Sequence, residues 1–173
     1  MEDLRSIVEA LIFASEAPLG VDRITDIVAA ADREEVVGIL RSLERDYADR
    51  NGGFYLAEVA GGYQFRTRAD MASWIRKLRG VKPPGLTQAA LETLAVVAYR
   101  QPVTRQEIEK VRGVDVSGPL RGLLEKKLVR MLGRKNVSGK PIIYGTTKRF
   151  LEVFSLNDLS ELPTLREFQE LQE

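Results

Sequence analysis

Two residue types with specialised chemistry are missing from the sequence, which contains no cysteine and no histidine. Without cysteine there are no disulfides and no thiolate metal sites, which fits a reducing compartment. Without histidine the commonest general base and the commonest metal ligand are both missing. We also find no Gly-rich phosphate loop, no Gly-x-Ser-x-Gly turn and no acidic metal cluster. The sequence therefore predicts a protein without catalytic residues, cofactor or metal, and it argues against an enzyme.

Long apolar runs are missing as well. No run approaches the roughly 20 residues that a membrane-spanning helix needs. The acidic start, MEDLRSIVEAL, lacks the basic head and the cleavage site of a signal peptide. With 29% charged and 44% hydrophobic residues, the composition is that of an ordinary soluble globular protein. We therefore expect a cytoplasmic protein that does not contact a membrane.

Charge is spread unevenly along the 173 residues, although the net charge is only +1. Residues 1–79 carry 11 basic and 14 acidic side chains, residues 86–155 carry 13 and 6, and residues 156–173 carry 1 and 5. Basic charge is thus concentrated in the second half of the chain. Any contact with nucleic acid is expected there.

The stretch Leu86 to Thr147 determines the fold prediction. Its apolar periodicity and turn residues indicate three helices and two short strands, at Gln88–Tyr99, Arg105–Val111, Pro119–Lys127, Val129–Leu132 and Pro141–Tyr144. Pro102 ends the first helix. Thr104 and Glu107 form a capping box before the second helix, and Ser117 is a plausible cap for the third. Three helices followed by a hairpin is the order of a winged-helix domain.

Residues 1–79 repeat this order. The predicted elements are helices at Asp3–Ser15, at Val21–Ala30 and from Asp32 to about Asp49, then strands at Phe54–Val59 and Tyr63–Thr67. Each hairpin is followed by a closing helix, Met71–Arg79 capped by Asp70 and Lys148–Phe154 capped by Thr146. We therefore predict a mainly α protein with small β-hairpins (α+β), built as two tandem winged-helix domains.

The predicted domains are an N-terminal one at 1–79, a linker at 80–85, a C-terminal one at 86–155 and an acidic tail at 156–173. The two prolines of the linker favour an extended path. The tail alternates leucines and Phe168 with acidic residues, and Pro163 divides it. Such a tail is either a docking segment or a frayed end.

Three runs of the sequence carry a family resemblance: LETLAVVAYRQPVTRQEIEKVRGV, LLEKKLVRMLGRKNVSGKPIIYGTT and EVAGGYQFRT. They strongly resemble the bacterial segregation and condensation protein B (ScpB) family, and the resemblance extends from about Ile7 to Pro163. It implies a non-enzymatic subunit of the complex between a structural-maintenance-of-chromosomes (SMC) ATPase and a kleisin. It further implies a homodimer that binds the kleisin ScpA, and through it the ATPase, in chromosome condensation and segregation during cell division. A nucleoid-associated location follows from the same resemblance.

Five residues are candidates for kleisin contact, namely Tyr99, Arg100, Gln101, Pro102 and Tyr144. Each tyrosine ends a predicted element, so each can bury its ring and keep its hydroxyl in water. The alternative is that both tyrosines belong to the edge of the core. The binding role is implied by the resemblance, since this part of ScpB-like proteins lies in the kleisin-binding domain. The spacing alone does not establish it.

The first helix holds the candidates for a dimer interface. At about 100° per residue, its aliphatic residues share one face, with Ile12 at the edge of that face. Phe13 falls on the opposite, polar side. Large exposed aromatic side chains commonly mark an interface, so Phe13 and Ile12 are predicted to contact a second copy of residues 1–79.

DNA binding is the usual role of winged helices, and it gives the alternative function, a DNA-binding transcriptional regulator. In the first domain the third helix has mixed charge and the wing has no cation, which argues against DNA there. In the second domain the third helix and the wing offer six cations: Arg121, Lys126, Lys127, Arg134, Lys135 and Lys140. They are either phosphate contacts or a solvated charged face. Because Arg121 alone could read a base edge, only weak, non-specific binding is predicted.

Overall fold

The computed structural model describes residues 3–29, 31–80 and 85–164, and the chain forms two compact units. The first unit comprises Met1–Lys82 together with Ser155–Glu173, and the second comprises Pro83–Phe154. The predictions for the linker prolines and for the tail beyond Thr164 lie outside the described residues.

The described part of the first unit folds as helices followed by a hairpin and a closing helix. Its elements are α1 (Leu4–Ala14), α2 (Val21–Val28), α3 (Arg33–Asp49), β1 (Phe54–Val59), β2 (Gly62–Thr67) and α4 (Ala72–Arg79). Two aspartates begin helices by accepting from free backbone N–H groups. Asp3 accepts from the N–H of Arg5, and Asp32 accepts from the N–H of Glu35 at 2.8 Å.

The hairpin of the first unit confirms the two predicted strands. β1 and β2 pair antiparallel, with Val59 opposite Gly62. Gly62 lies against the loop before α2, where an added Cβ would come within 2.8 Å of the carbonyl carbon of Leu19. This close approach lets Leu19 and Tyr63 exchange two backbone hydrogen bonds of 2.9 Å each. Position 62 therefore requires glycine, because only a residue without a Cβ leaves room for the segment at Leu19 to pair with β2.

The core of the first unit lies between α1, α2, α3 and the inner face of the hairpin. Its buried members come from all four places and are mostly aliphatic: Val8, Ile12, Ile24, Val36, Leu40, Leu43, Leu56 and Tyr63. Their spacing of three or four along α1 and α3 puts them on one side of each helix, as the periodicity predicted. By contrast, α4 contributes no buried residue.

The described part of the second unit has the same order, with one extra short strand. Its elements are α5 (Gln88–Arg100), β3 (Val103–Thr104), α6 (Arg105–Arg112), α7 (Ser117–Glu125), β4 (Val129–Arg134), β5 (Ile142–Thr146) and α8 (Lys148–Phe154). The capping box is confirmed, since Thr104 and Glu107 each accept from the backbone N–H of the other. The sheet has the order β3-β5-β4, with antiparallel neighbours. Three helices and a three-stranded sheet, in which β4 and β5 form the hairpin, match the order expected of a winged-helix domain.

Three predicted helix caps are wrong. Ser117 is the first residue of α7 and is itself held by Asp115, whose carboxylate accepts from its hydroxyl at 2.6 Å. Asp70 lies in a 3-10 turn before α4 and makes no capping bond to it. The residue before α8 that accepts from the N–H of Phe150 is Thr147 and not Thr146. In each case the residue directly before the helix is the neighbour of the predicted one, namely Val116, Met71 and Thr147.

The segment after α8 packs on the hairpin of the first unit. The N–H of Ala60 donates to the carbonyl of Leu156 at 2.9 Å, and the N–H of Gly61 donates to the side chain of Asn157 at 2.9 Å. The amide of Asn157 donates in turn to Glu58 at 3.2 Å. A turn of 3-10 helix follows at Leu159–Glu161. The described part of the acidic tail is therefore bound to the fold.

Candidate functional site

The end of α5 is joined to β5 by the side chain of Gln101. Its Oε1 accepts from the N–H of Thr146 at 2.8 Å, and its Nε2 donates to the Thr146 hydroxyl at 2.9 Å and to the carbonyl of Ala98 at 3.2 Å. The amide lies over Gly145, where an added Cβ would be 2.7 Å from Oε1. Gln101, predicted to contact a partner, thus uses its polar atoms inside the unit. It fixes the position of the residues on either side.

Tyr99 and Arg100 are exposed at the end of α5. The Tyr99 side chain is 52% accessible to solvent, and Arg100 and Pro102 are exposed as well. Leu91 and Ala95 precede Tyr99 by eight and four residues and are also exposed, so the three share one face of α5. We call Leu91, Ala95 and Tyr99 the α5 stripe. The helix α5 is apolar on nearly all sides, and its own unit therefore covers only part of its apolar surface.

Tyr144 is placed differently from Tyr99. It is buried in β5, where it pairs with Val103 of β3 and Met131 of β4. It lines a groove of about 480 Å³ together with Arg105 and Arg134. Tyr144 therefore has the core-edge position that was the alternative prediction. Glu109 also lines this groove and pairs with Arg105 at 2.7 Å, so the groove has mixed charge.

The six cations of the DNA prediction are partly neutralised within the unit. Arg121 pairs with Glu125 at 2.9 Å, and Lys135 pairs with Glu107 at 2.9 Å. The Arg134 guanidinium donates to the carbonyl of Lys140 at 3.0 Å. Lys126, Lys127 and Lys140 are exposed, and none of them forms an ion pair within the described ranges. The face that a winged helix would present to DNA is thus weakly basic.

Glu107 is the most perturbed carboxylate of the second unit. The Lys135 ammonium, followed by the backbone N–H and hydroxyl of Thr104, donates hydrogen bonds to it and lowers its pKa to about 2 from the ordinary 4.5. These bonds stabilise the charged form. The carboxylate of the capping box therefore also holds the hairpin of β4 and β5, because Lys135 directly follows β4.

Phe13 belongs to an aromatic patch on the first unit. Its side chain is 78% exposed, and its ring meets that of Phe65 edge-on at 6.4 Å. Phe65 contacts Tyr47 at 4.8 Å and Phe54 at 5.8 Å, and the last two lie 5.5 Å apart. We call Phe13, Tyr47, Phe54 and Phe65 the four-ring patch. Sequence reasoning found only Phe13, because the other three come from separate elements that the hairpin register brings together.

The structure corrects the prediction for Ile12. Its side chain is 1% exposed and lies in the core of the first unit. The helical wheel placed it at the edge of the apolar face, but the packing of α2 and α3 covers that edge. Ile12 therefore stabilises α1 in the unit, and its side chain is not available to a second copy.

The part of the chain that the structure describes has neither a metal-binding cluster nor a membrane-spanning helix. Residues 3–29, 31–80 and 85–164 contain no group of three or more acidic side chains that could hold a metal ion. Over the same ranges, no helix is both long and apolar enough to span a bilayer. The exposed α5 stripe and four-ring patch are features of surfaces that bind other proteins.

The chain is a mainly helical α+β protein with small antiparallel sheets, and the order of elements in each unit is the one expected of a winged-helix domain. Residues 6–165 match the family model described as "Segregation and condensation complex subunit ScpB", and the chain belongs to this family.

Two curated relatives are both called "Segregation and condensation protein B". The one from Syntrophotalea carbinolica is 48% identical over 169 residues, which are 98% of this chain and 85% of the relative. The one from Myxococcus xanthus is also 48% identical, over 97% of this chain, which spans only 51% of that relative. A solved structure, "Crystal structure of dimer of ScpB N-terminal domain complexed with ScpA peptide", is 27% identical, with a TM-score of 0.39. It covers 43% of this chain and 91% of its own.

Proposed function

We propose that this chain is a non-enzymatic scaffold subunit of a bacterial SMC–kleisin complex that acts in chromosome condensation and segregation. It forms a homodimer through the first unit and binds the kleisin ScpA through the second. The kleisin connects it to the SMC ATPase, at the nucleoid in the cytoplasm. Membership of the ScpB family supports the cellular role. The α5 stripe supports the assignment of ScpA to the second unit, and the four-ring patch supports the assignment of the dimer contact to the first.

The observation that carries the kleisin proposal is the α5 stripe. It is an apolar strip on a helix, it ends at an exposed tyrosine, and Arg100 follows it in the chain. An amphipathic segment from another chain would cover the stripe, and its acidic residues would complement the basic excess of residues 86–155. Gln101 contributes indirectly, since it holds the end of α5 on β5.

The roles of the five predicted residues therefore differ. Tyr99 and Arg100 are the proposed contacts, and Pro102 is exposed beside them. Gln101 is a positioning residue. Tyr144 lines a groove in which Arg134 could receive an acidic side chain of the kleisin, since Arg105 there is paired with Glu109 and Asp115.

Calorimetric titration of the full chain with the central segment of ScpA tests this proposal. Truncating an anchor residue at an interface commonly costs about 2 kcal/mol, or about thirtyfold in affinity. We expect losses of that order for Tyr99→Ala and for Arg100→Ala. Tyr55→Ala and Arg130→Ala are matched controls, because both remove an exposed side chain of the same type elsewhere. Wild-type affinity in both Tyr99→Ala and Arg100→Ala, with the folded state intact, would exclude this site.

A further inference from the structure

The helix α4 exposes an apolar face on the first unit. Trp74 and Leu78, four residues apart, share that face and are 64% and 86% exposed. Met71 and Ile75 are half-buried, so the opposite requirement, contact with the unit, is met by other residues. A helix of eight residues is not stable in water by itself. The face of Trp74 and Leu78 therefore needs a cover that the described part of its own unit does not supply.

The charge of α4 is opposite to that of the rest of the first unit. Residues 72–79 carry three basic side chains, Arg76, Lys77 and Arg79, and no acidic one. Residues 1–71 carry 8 basic and 14 acidic side chains, a balance of −6. The ammonium of Lys77 lies 4.7 Å from the centre of the Trp74 ring, so positive charge borders the apolar face.

This combination of apolar surface and charge favours the first unit of a second copy as the cover. If α4 packed on another α4, cations would oppose cations, which is unfavourable. A nucleic acid would be attracted by α4 but repelled by the acidic remainder of the unit. The first unit of another copy combines an acidic balance with the exposed rings of the four-ring patch.

The exposed apolar side chains of the first unit support the same choice. Among the described residues, Leu78, Phe13 and Trp74 are the three most exposed large hydrophobic side chains of the chain. A specific interface buries about 800 Å² on each partner. Two rings of the four-ring patch, Tyr47 and Phe65, are half-buried, so the patch alone supplies only part of that area. The face of α4 adds to it.

The helix α4 also begins next to the four-ring patch. The N–H of Arg68 donates to the carbonyl of Gly53 at 3.1 Å, and a Cβ added to Gly53 would lie 4.0 Å from the side chain of Met71. Gly53 directly precedes Phe54 of the patch. In a two-fold dimer, two unlike surfaces of one copy each meet the other surface on the second copy. Neighbouring surfaces can therefore pair reciprocally around one axis.

We propose that α4 of each copy packs on the first unit of the other copy in the homodimer, with Trp74 and Leu78 against Phe13. The cations of α4 face the acidic surface of that unit. Each copy thus covers the α4 face and the Phe13 ring of the other. This inference rests on the proposed dimer and extends its interface to α4.

Fluorescence of the full chain tests the contact directly, because Trp74 is the only tryptophan in the sequence. Acrylamide quenching and sedimentation velocity are measured over the same concentration series. We expect the quenching of Trp74 to fall as the fraction of dimer rises. In Phe13→Asp the tryptophan should remain open to acrylamide at every concentration of the series.

A substitution on α4 tests the same contact without fluorescence. Leu78→Asp should raise the dimer dissociation constant by about thirtyfold, as for loss of an anchor residue. Val137→Asp is the matched control, because it places the same charge at an exposed aliphatic residue of the second unit, and it should dimerise like the parent. Far-UV circular dichroism of each variant separates loss of the contact from loss of folding.

The results that would overturn the inference differ in what they leave of the dimer. A dimer in which Trp74 is quenched as fully as in the monomer, or a Leu78→Asp chain that dimerises like the parent, would exclude α4 and leave the dimer proposal standing. A parent chain that stays monomeric would overturn both. Protection of Trp74 that appears only when the central segment of ScpA is added would assign the α4 face to the kleisin.

Discussion

The side chain of Gln101 occupies the space that a Cβ on Gly145 would need, and it connects the end of α5 to β5 by accepting from the N–H of Thr146 and donating to the Thr146 hydroxyl. A third bond, to the carbonyl of Ala98, stays within the end of α5. Removing the amide leaves the N–H of Thr146 without its acceptor in a buried strand. An unsatisfied buried donor costs about 1–3 kcal/mol. A single polar side chain thus determines how firmly the proposed kleisin surface is held.

The first prediction concerns this residue. Gln101→Ala should lower the free energy of unfolding by about 1–3 kcal/mol, measured by urea denaturation of the full chain. Gln106→Ala is the control, since Gln106 is an exposed glutamine on α6, and its free energy of unfolding should match that of the parent. Equal stability of both variants would mean that the Gln101 bonds contribute nothing net.

Glu107 gives a prediction that depends on pH. Because its folded-state pKa of about 2 lies below 4.5, the charged form stabilises the fold. That stabilisation is complete above about pH 4.5 and disappears as pH falls towards 2. Glu107→Ala should therefore lower Tm at pH 7, and its difference from the parent should shrink on acidification through this range.

Glu107→Gln separates the two roles of the carboxylate. Glutamine keeps the capping box but has no charge for Lys135, so at pH 7 its Tm should lie between those of the parent and the alanine variant. A Tm difference between parent and Glu107→Ala that stays constant from pH 7 to pH 3 would contradict the proposed cause.

At the scale of the elements, hydrophobic periodicity predicted the positions of helices and strands better than the capping rules predicted the residues that begin the helices. Helices and strands fall where the spacing of apolar residues put them, because burial of one face determines the period. The caps at Ser117, Asp70 and Thr146 were misplaced by one residue or by a 3-10 turn, which the side-chain type alone does not specify. The strand at Val103–Thr104 was missed because two residues are too few for any period. The four-ring patch was missed because it depends on the register between strands.

The helix α7 and its wing provide the third prediction. Arg121 and Lys135 are paired with carboxylates, so about three or four cations remain for phosphates. Affinity for duplex DNA should then fall by about one to two orders of magnitude between 50 and 200 mM salt. Lys126→Ala/Lys127→Ala should reduce the salt slope by about 2, and Arg121→Ala should change it less. Tight, salt-resistant preference for one DNA sequence would favour a transcriptional regulator instead.

At the scale of the whole molecule, the two units differ in net charge and in the apolar surface that each exposes. The first has an acidic balance and carries the four-ring patch, and the second has most of the basic charge and carries the α5 stripe. Units of about 70 to 100 residues bury only about 60–65% of their unfolded surface. Each unit therefore gains from a protein partner that covers its exposed apolar surface.

The last prediction is that the four-ring patch is the centre of a homodimer. Phe13 extends from a ring cluster that is already ordered by its own contacts, so little side-chain entropy is lost when a second copy covers it. Aromatic residues bury about 150–250 Å² each, and a specific interface needs about 800 Å² per partner. Phe13 and Phe54 are exposed and the other two rings are half-buried, so the four rings supply part of that area and the residues around them must supply the rest.

Phe13→Asp in the full chain should raise the dimer dissociation constant by about thirtyfold or more, as for loss of an anchor worth about 2 kcal/mol. Sedimentation velocity over a concentration series measures this. Val114→Asp is the control, because it introduces the same charge at an exposed apolar residue of the second unit. A parent chain that stays monomeric at tens of micromolar would exclude the dimer. If Phe13→Asp dimerises like the parent, the interface lies elsewhere on the molecule.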